Sequence, residues 1–241
     1  MTVFKKFKKK TINKKIYYKK ILDLLIKIKK IKIKKHKTFL KTEYKIPNYS
    51  KKKLASEANL FLQWYLPKFI KGKKKNIEKK KIIKIFKNLL NKLIYKKKVF
   101  VHRDFHISNI MITKKGLGLI DSQDAVFGNI AYDLASLIDD VRYKTNNNLK
   151  DKIFNEFIKK NNQLDRDKFK NDFEILSVLR NFKIIGIFSR LSKRDKKHYY
   201  LKLIPYAWKL IENRINNNVK FSDLKIFIDK NFPKKIRNYE N

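Results

Sequence analysis

VFVHRDFHISNIMITKKGLGLID, residues 99–121, decides how the rest of the chain is read. The hydrophobic period changes on entering it. Val99-Phe100-Val101, Asn109-Ile110-Met111-Ile112 and Leu117-Gly118-Leu119-Ile120 are short apolar runs, and Lys114-Lys115-Gly116 supplies a tight turn between the last two. The pattern predicts a strand, a polar loop and a β-hairpin. Asp104 then falls on the loop, Asn109 opens the second strand, and Asp121 ends the third. A hairpin returns the end of its second strand to the start of its first, so Asn109 and Asp121 can face one metal ion.

On both sides of this patch the period is helical. Ile21, Leu24, Leu25 and Ile28 predict an amphipathic helix over 17–34. A polar loop with Pro47 and Asn48 follows, and Ser50 is the N-cap of a helix running to about Tyr65 and ended by Pro67. A third helix is predicted over 76–96, with Ile82, Ile85, Phe86, Leu89, Leu90 and Leu93 on one side. After the patch, helices are predicted at about 131–144, 150–161, 167–190 and 198–216, with a last one near 222–230. Only 5 Gly and 4 Pro leave few sharp turns. The expected class is α+β and mostly helical, in the order helices, small β patch, helices. That is the arrangement of a protein-kinase-like C-terminal lobe.

Composition bounds the alternatives. A chain of 241 residues with 43% hydrophobic and 13% aromatic content can bury a core, as one domain or two associated lobes, and is not disordered. It has no cysteine, hence no disulfide and no thiolate metal site. No run of 18 apolar residues spans a membrane, and the basic Met1-Thr2-Val3-Phe4-Lys5-Lys6 lacks the apolar core of a secretory signal. The expected location is cytoplasmic. The net charge of +42 points first to nucleic acid, but lysine outnumbers arginine 55 to 8 and is interleaved with Ile and Asn throughout. A drift in composition explains that better than a nucleic-acid function, so no specific nucleic-acid partner is expected. The unevenness of charge is more informative. Residues 1–100 hold 35 Lys+Arg against 4 Asp+Glu, whereas 101–140 hold 3 against 6. Carboxylates kept against such a drift are what a divalent cation would need.

His102-Arg103-Asp104-Phe105-His106-Ile107-Ser108-Asn109 fits the H-R-D-x-x-x-x-N loop of phosphoryl-transfer kinases. In that pattern Asp104 orients or accepts the proton of an attacking hydroxyl. Asn109 and Asp121 offer oxygens to a magnesium ion, which prefers sparse protein ligation completed by phosphate and water. The tripeptide alone is a weak signal, and the bland reading is a surface loop whose Asp residues cap turns. The full spacing followed by a hairpin and a strand-terminal Asp is a strong one. His102 and His106 are expected to pack and hold the loop, and no thiol or H-E-x-x-H helix accompanies them to make a zinc site.

The block Val101 to Val141, VHRDFHISNIMITKKGLGLIDSQDAVFGNIAYDLASLIDDV, resembles the aminoglycoside phosphotransferase/choline kinase superfamily. Within it the likeness is to the bacterial amino-sugar anomeric kinases of cell-wall recycling. It is carried by Asp121-Ser122-Gln123-Asp124-Ala125, by Tyr132-Asp133-Leu134-Ala135-Ser136-Leu137, and by the flanking runs 60–67, 180–186 and 203–205. The resemblance implies ATP and Mg²⁺ as cofactors, Asp104 as catalytic base and Asn109 and Asp121 as metal ligands. His102 and Arg103 would support the loop. Asp133 would brace it, or serve as a plain N-terminal helix acid. Asp124 would reach metal or substrate, or cap a turn. Trp64 and Trp208 are expected in the core.

The resemblance also implies an N-terminal lobe with a glycine loop over the phosphates and a strand-borne lysine. Before the catalytic loop the only glycine is Gly72, and Ser122 stands where the relatives carry Phe. Residues 1–16 are therefore expected to be the remnant of a hinge, and 17–241 the kinase-like C-terminal lobe. The expected function is ATP- and Mg²⁺-dependent transfer to a hydroxyl of a small metabolite, an amino sugar in the first place. The alternatives are a weak or inactive binding module of the same fold and a nucleic-acid-binding protein. The expected partners are a sugar or amino-alcohol substrate and a separately encoded N-lobe.

Overall fold

The computed structural model describes residues 1–33, 35–37, 41–216 and 218–238. Residue 34, at which the first expected helix closes, and residues 239–241, at the end of the expected lobe, lie outside the described residues. In chain order the elements are α1 (Val3–Lys8), α2 (Lys14–Lys29), β1 (Lys35–Lys37), β2 (Glu43–Lys45), α3 (Lys51–Ala58), α4 (Leu60–Trp64) and α5 (Gly72–Asn91). Then come β3 (Lys98–Val101), β4 (Ile110–Thr113), β5 (Gly116–Leu119), β6 (Val126–Asn129), α6 (Tyr132–Ile138) and α7 (Asn147–Lys159). The chain closes with α8 (Arg166–Asp195), α9 (Ile204–Ile215), α10 (Ser222–Asn231) and α11 (Lys234–Arg237). Two compact units form: Met1–Tyr49 with Ile94–Phe173, and Ser50–Leu93 with Glu174–Asn241.

In the first unit, α2 begins three residues before the expected start at 17 because Asn13 caps it, accepting from Ile16 N at 3.2 Å. Tyr18, Ile21, Leu22, Leu25 and Ile28 form its buried face, and it packs against β3 and α7. β4 and β5 make the expected hairpin, in register from Ile110↔Leu119 to Thr113↔Gly116. The expected strand at 99–101 pairs instead with β6, antiparallel from Lys98↔Asn129 to Val101↔Val126. β6 carries no strand signal in the sequence, since Val-Phe-Gly-Asn is short and ends in turn formers. The chain start lies along the hairpin: Ile112 N donates to Met1 O at 2.9 Å and Phe4 N to Ile107 O at 3.1 Å. Phe7, on α1, is buried against Tyr18 and Tyr143.

A long-range carboxylate sets where β3 begins. Asp172, fully buried on α8, accepts from Ile94 N at 2.8 Å, Tyr95 N at 2.9 Å and Asn129 Nδ2 at 2.6 Å. Amides held this way cannot continue a helix. The helix expected to reach 96 accordingly stops at Asn91.

In the second unit Ser50 caps α3 as expected, its Oγ accepting from Lys53 N at 3.1 Å. The helix expected to run on to Tyr65 is broken at Asn59, whose carbonyl takes both Leu62 N and Gln63 N. Pro67 sits in a 3₁₀ turn, Leu66–Lys68, that follows α4. The core is an aromatic cluster of Phe61, Tyr65, Phe182, Trp208 and Phe232, with Phe61 edge-on to Phe182 at 4.9 Å and to Trp208 at 5.7 Å. Trp208 is fully buried, and Trp64 is half-buried. Trp208 Nε1 donates to Tyr65 Oη at 3.0 Å, and burial pushes the Tyr65 phenol up to about 12. Tyr65→Phe orphans a buried indole N–H and is expected to destabilise the unit by about 1–3 kcal/mol, read from the urea midpoint.

Candidate active site

The loop leaves β3 into the grip of one carboxylate. Asp133, buried in the first turn of α6, accepts from His102 N at 2.8 Å through Oδ2 and from Arg103 N at 3.0 Å through Oδ1. Held so, the backbone turns sharply, with Arg103 at φ +73°. A non-glycine residue is uncommon there, and the conformation persists only where its surroundings enforce it.

Beyond the turn the loop closes on itself. The Asp104 carbonyl accepts from His106 N at 3.0 Å and from Asn109 Nδ2 at 3.1 Å. A carbonyl can only accept, so the Asn109 amide must present nitrogen to it, which leaves Oδ1 as that side chain's acceptor. Asn109 O takes Ile120 N at 3.1 Å, and His102 Nε2 lies 3.0 Å from Ile120 O. By the same logic His102 carries its proton on Nε2. Asp121 follows directly, exposed and at φ +62°. His102, Asp104, Asn109 and the residue before Asp121 thus belong to one hydrogen-bonded frame. The His102 ring holds that frame together, and buried His106 contributes its backbone.

Arg103 ties in the segment after Asp121. Its guanidinium donates to Asp124 O at 3.1 Å, stands 3.5 Å from Asp124 Oδ1 and lies over the Tyr49 ring at 5.4 Å. Ala125 N donates to Ser122 O, closing the turn.

An exposed Asp121 carboxylate and an uncommitted Asn109 oxygen are hard donors suited to Mg²⁺, which takes few protein ligands and retains phosphate and water. Among the described residues no group of three or more His, Cys, Asp or Glu forms a metal cage.

The acidic excess of 101–140 has two origins. Asp133 braces the loop, Asp139 pairs with Lys150 at 2.8 Å, and Asp140 holds Arg142 through its guanidinium and its amide. These three are buried and structural. Only Asp104, Asp121 and Asp124 stand where a cation or substrate could meet them.

One further group bears on the site. Lys29, at the end of α2, donates to Ile130 O at 2.7 Å and lies 4.2 Å from the Phe157 ring centroid. Burial pushes its ammonium down to about 7, opposed by the Asp133 carboxylate. Burial likewise pushes Asp133 up, opposed by the two loop amides and by the charge of Lys29. Nothing in the sequence distinguishes Lys29 from the other lysines.

Comparison with known proteins agrees with this fold. Residues 39–162, just over half of the chain, match the phosphotransferase enzyme family, and the chain belongs to that family. Among curated relatives, the N-acetylmuramate/N-acetylglucosamine kinase of Neisseria meningitidis serogroup B is 32% identical over 167 residues, covering 66% of this chain and 50% of the relative. The kinase of the same name from Pseudomonas aeruginosa is 26% identical over 185 residues, covering 74% and 55%. The chain therefore spans about half the length of the curated relatives it matches. Among solved structures, Plasmodium vivax ethanolamine kinase matches with TM-score 0.56 at 13% identity, covering 86% of this chain and 60% of that one. An amicoumacin kinase in complex with AMP-PNP and Ca²⁺ matches with TM-score 0.54 at 14% identity, covering 84% and 61%. These neighbours share the kinase-like fold. The matches give no support to a separately encoded lobe as a partner, and no helix among the described residues is long and apolar enough to cross a membrane.

Proposed function

We propose that this chain carries the catalytic and metal-binding part of an ATP- and Mg²⁺-dependent phosphotransferase whose acceptor is a hydroxyl of an amino sugar, serving cell-wall recycling in the cytoplasm. The observation that carries this reading is the frame around Asp104. One carboxylate fixes the loop amides, one side-chain amide closes on the Asp104 carbonyl, and Ile120 is clasped from both sides. Similarity to kinases for N-acetylmuramate and N-acetylglucosamine supports the substrate class.

In this reading the Asp104 carboxylate orients the acceptor hydroxyl and takes its proton as the new O–P bond forms and the bond from the γ-phosphorus to the bridging oxygen breaks, releasing ADP. Asn109 and Asp121 would hold the cation, which when bound neutralises charge on the phosphates. Phosphoryl transfer depends almost wholly on positioning and electrostatics, so rigidity of the loop is itself catalytic equipment. Arg103 and Asp124 keep the 121–124 turn fixed to the loop.

A second reading, a nucleotide-binding module of low activity, is favoured by one observation. Gly72, the only glycine in residues 1–100, starts α5 at φ +60° and so serves a helix start instead of a phosphate loop. The test is phosphate transfer from ATP to N-acetylglucosamine and N-acetylmuramate by the 241-residue chain, with and without Mg²⁺, across ionic strength. Slow, Mg²⁺-dependent transfer that survives moderate salt is expected, since nonspecific attraction to a +42 chain fades with screening. ATP binding without Mg²⁺ dependence and without transfer would leave only the module. Fast turnover would remove the second reading.

A further inference from the structure

We infer that Tyr49, which lies outside the catalytic loop, is a positioning residue for it: its ring is the platform that holds the Arg103 guanidinium on the 121–124 turn, and so fixes the turn that carries Asp121 to the loop that carries Asp104. This role rests on the reading of Asp104 and Asp121 proposed above, but the deciding measurements need no turnover.

The ring is placed from three directions, all within the first unit. Its backbone is laid against the sheet. Tyr49 N donates to Phe127 O at 2.8 Å and Phe127 N donates to Pro47 O at 2.9 Å, so the segment 47–49 lies parallel beside β6. The side chain rests on Gly128, where an added Cβ would stand 3.0 Å from Tyr49 Cβ and 3.3 Å from Cδ1. Glycine inside a strand marks such a close approach. The phenol end is buried, Tyr49 being 5% exposed, and its hydroxyl donates to Tyr132 Oη at 3.1 Å, with the two rings edge to face at 5.0 Å. Tyr132 opens α6 immediately before Asp133, the carboxylate that grips the loop amides. The platform is thereby joined to β6 and to α6 together.

Over it the Arg103 guanidinium carbon stands 5.4 Å from the ring centroid. That is within the roughly 6 Å at which the negative face of an aromatic ring attracts a cation. A guanidinium held on such a face keeps its edge free to donate. Arg103 uses that edge on Asp124 O at 3.1 Å. The Asp124 carboxylate is the weaker hold, 3.5 Å away and 60% exposed, where water screens the charge. Without a floor, a side chain this long gains rotamer freedom by exchanging the Asp124 carbonyl for water. The turn it holds closes on itself through Ala125 N to Ser122 O at 3.0 Å. Arg103 at φ +73° and Asp121 at φ +62° are both non-glycine residues in left-handed backbone. Such backbone persists only where its surroundings enforce it, and the Arg103 side chain on its platform ties one of these turns to the other.

Tyr49 has two separable groups. The ring carries the cation and the hydroxyl reaches Tyr132, so phenylalanine keeps the platform and leucine removes it. The experiment is NMR on the full chain, comparing wild type, Tyr49→Phe, Tyr49→Leu, Arg103→Met and the Tyr49→Leu/Arg103→Met double variant. Wild type is expected to show nuclear Overhauser contacts between the Arg103 side chain and the Tyr49 ring, and a ring-current shift of the Arg103 Nε–H resonance that Tyr49→Phe keeps and Tyr49→Leu abolishes. Hydrogen exchange of the Ala125 amide is expected to quicken tenfold or more in Tyr49→Leu and in Arg103→Met, with Tyr49→Phe restoring protection, while the β4 and β5 amides keep theirs. The double variant adds no further loss, because ring and guanidinium act through one contact. Where the chain transfers phosphate, Tyr49→Leu raises the Mg²⁺ concentration for half-maximal rate tenfold or more. Should Tyr49→Leu fail to fold, the wild-type Overhauser contacts and Ala125 exchange in Arg103→Met decide, and the absence of either effect overturns the assignment. Unchanged Ala125 exchange in a folded Tyr49→Leu, equal losses in Tyr49→Phe and Tyr49→Leu, a loss spread evenly over the unit, or an unmoved Mg²⁺ requirement in an active Tyr49→Leu would each overturn it too. Absence of phosphate transfer by the wild-type chain bears on the proposed function and leaves the NMR readouts intact.

Discussion

Gly186→Ala is expected to leave the second unit unfolded. A Cβ at this position of α8 would stand 2.3 Å from Leu60 C, 2.4 Å from Phe61 N and 2.7 Å from Leu60 O. All three are backbone atoms at the start of α4, so no side chain can swing aside. In an open helix the same change would help by about 1 kcal/mol, because glycine is the poorer helix former. Here the sign inverts, and a loss of more than about 4 kcal/mol places it among the exceptional substitutions. Soluble expression, and a urea transition if any protein is recovered, measure it. A Gly186→Ala chain as stable as the parent would mean that α8 and α4 do not approach this closely.

Asp104→Asn is expected to lower phosphate transfer by about 10²–10⁴-fold while leaving the fold in place. The frame is built on the Asp104 carbonyl, which holds His106 N and Asn109 Nδ2. Substituting the side chain therefore leaves those bonds standing. Circular dichroism and the melting temperature should match wild type while kcat falls. Undiminished turnover in Asp104→Asn would remove the base assignment.

The α+β class and the loop–hairpin patch were readable because they rest on local signals: alternating runs, a two-lysine turn, and caps such as Ser50. The kinase-like fold follows from the same residues. Elements fixed from a distance were not readable. The end of α5 depends on Asp172, some 77 residues from the Tyr95 amide it holds. The break at Asn59 rests on one shared carbonyl, and β6 exists because β3 offers it an edge. Pairing of Lys35 to Lys37 with Glu43 to Lys45 falls where the sequence reads as polar loop, since five of the six paired residues are Lys, His or Glu. At the site, sequence spacing singles out Asp104, Asn109 and Asp121, and the family resemblance adds Asp133. It could not separate carboxylates that face outward from those consumed by the fold, because Asp139 and Asp140 look no different from Asp121 until their partners are seen. Lys29 is the extreme case, a lysine among 55 whose surroundings alone set it apart.

The stretch from 94 to 103 is clamped at both ends, Asp172 on the amides of Ile94 and Tyr95, Asp133 on those of His102 and Arg103. Between the clamps β3 runs extended, residue against residue with β6. The segment thus acts as a ruler of fixed length whose zero is set by α8 and whose reading is the position of Asp104. Slack cannot accumulate in it. A residue gained or lost between 96 and 101 would break one clamp or reverse which side chains of β3 face inward. Length here is under tighter control than the identity of any single residue along it.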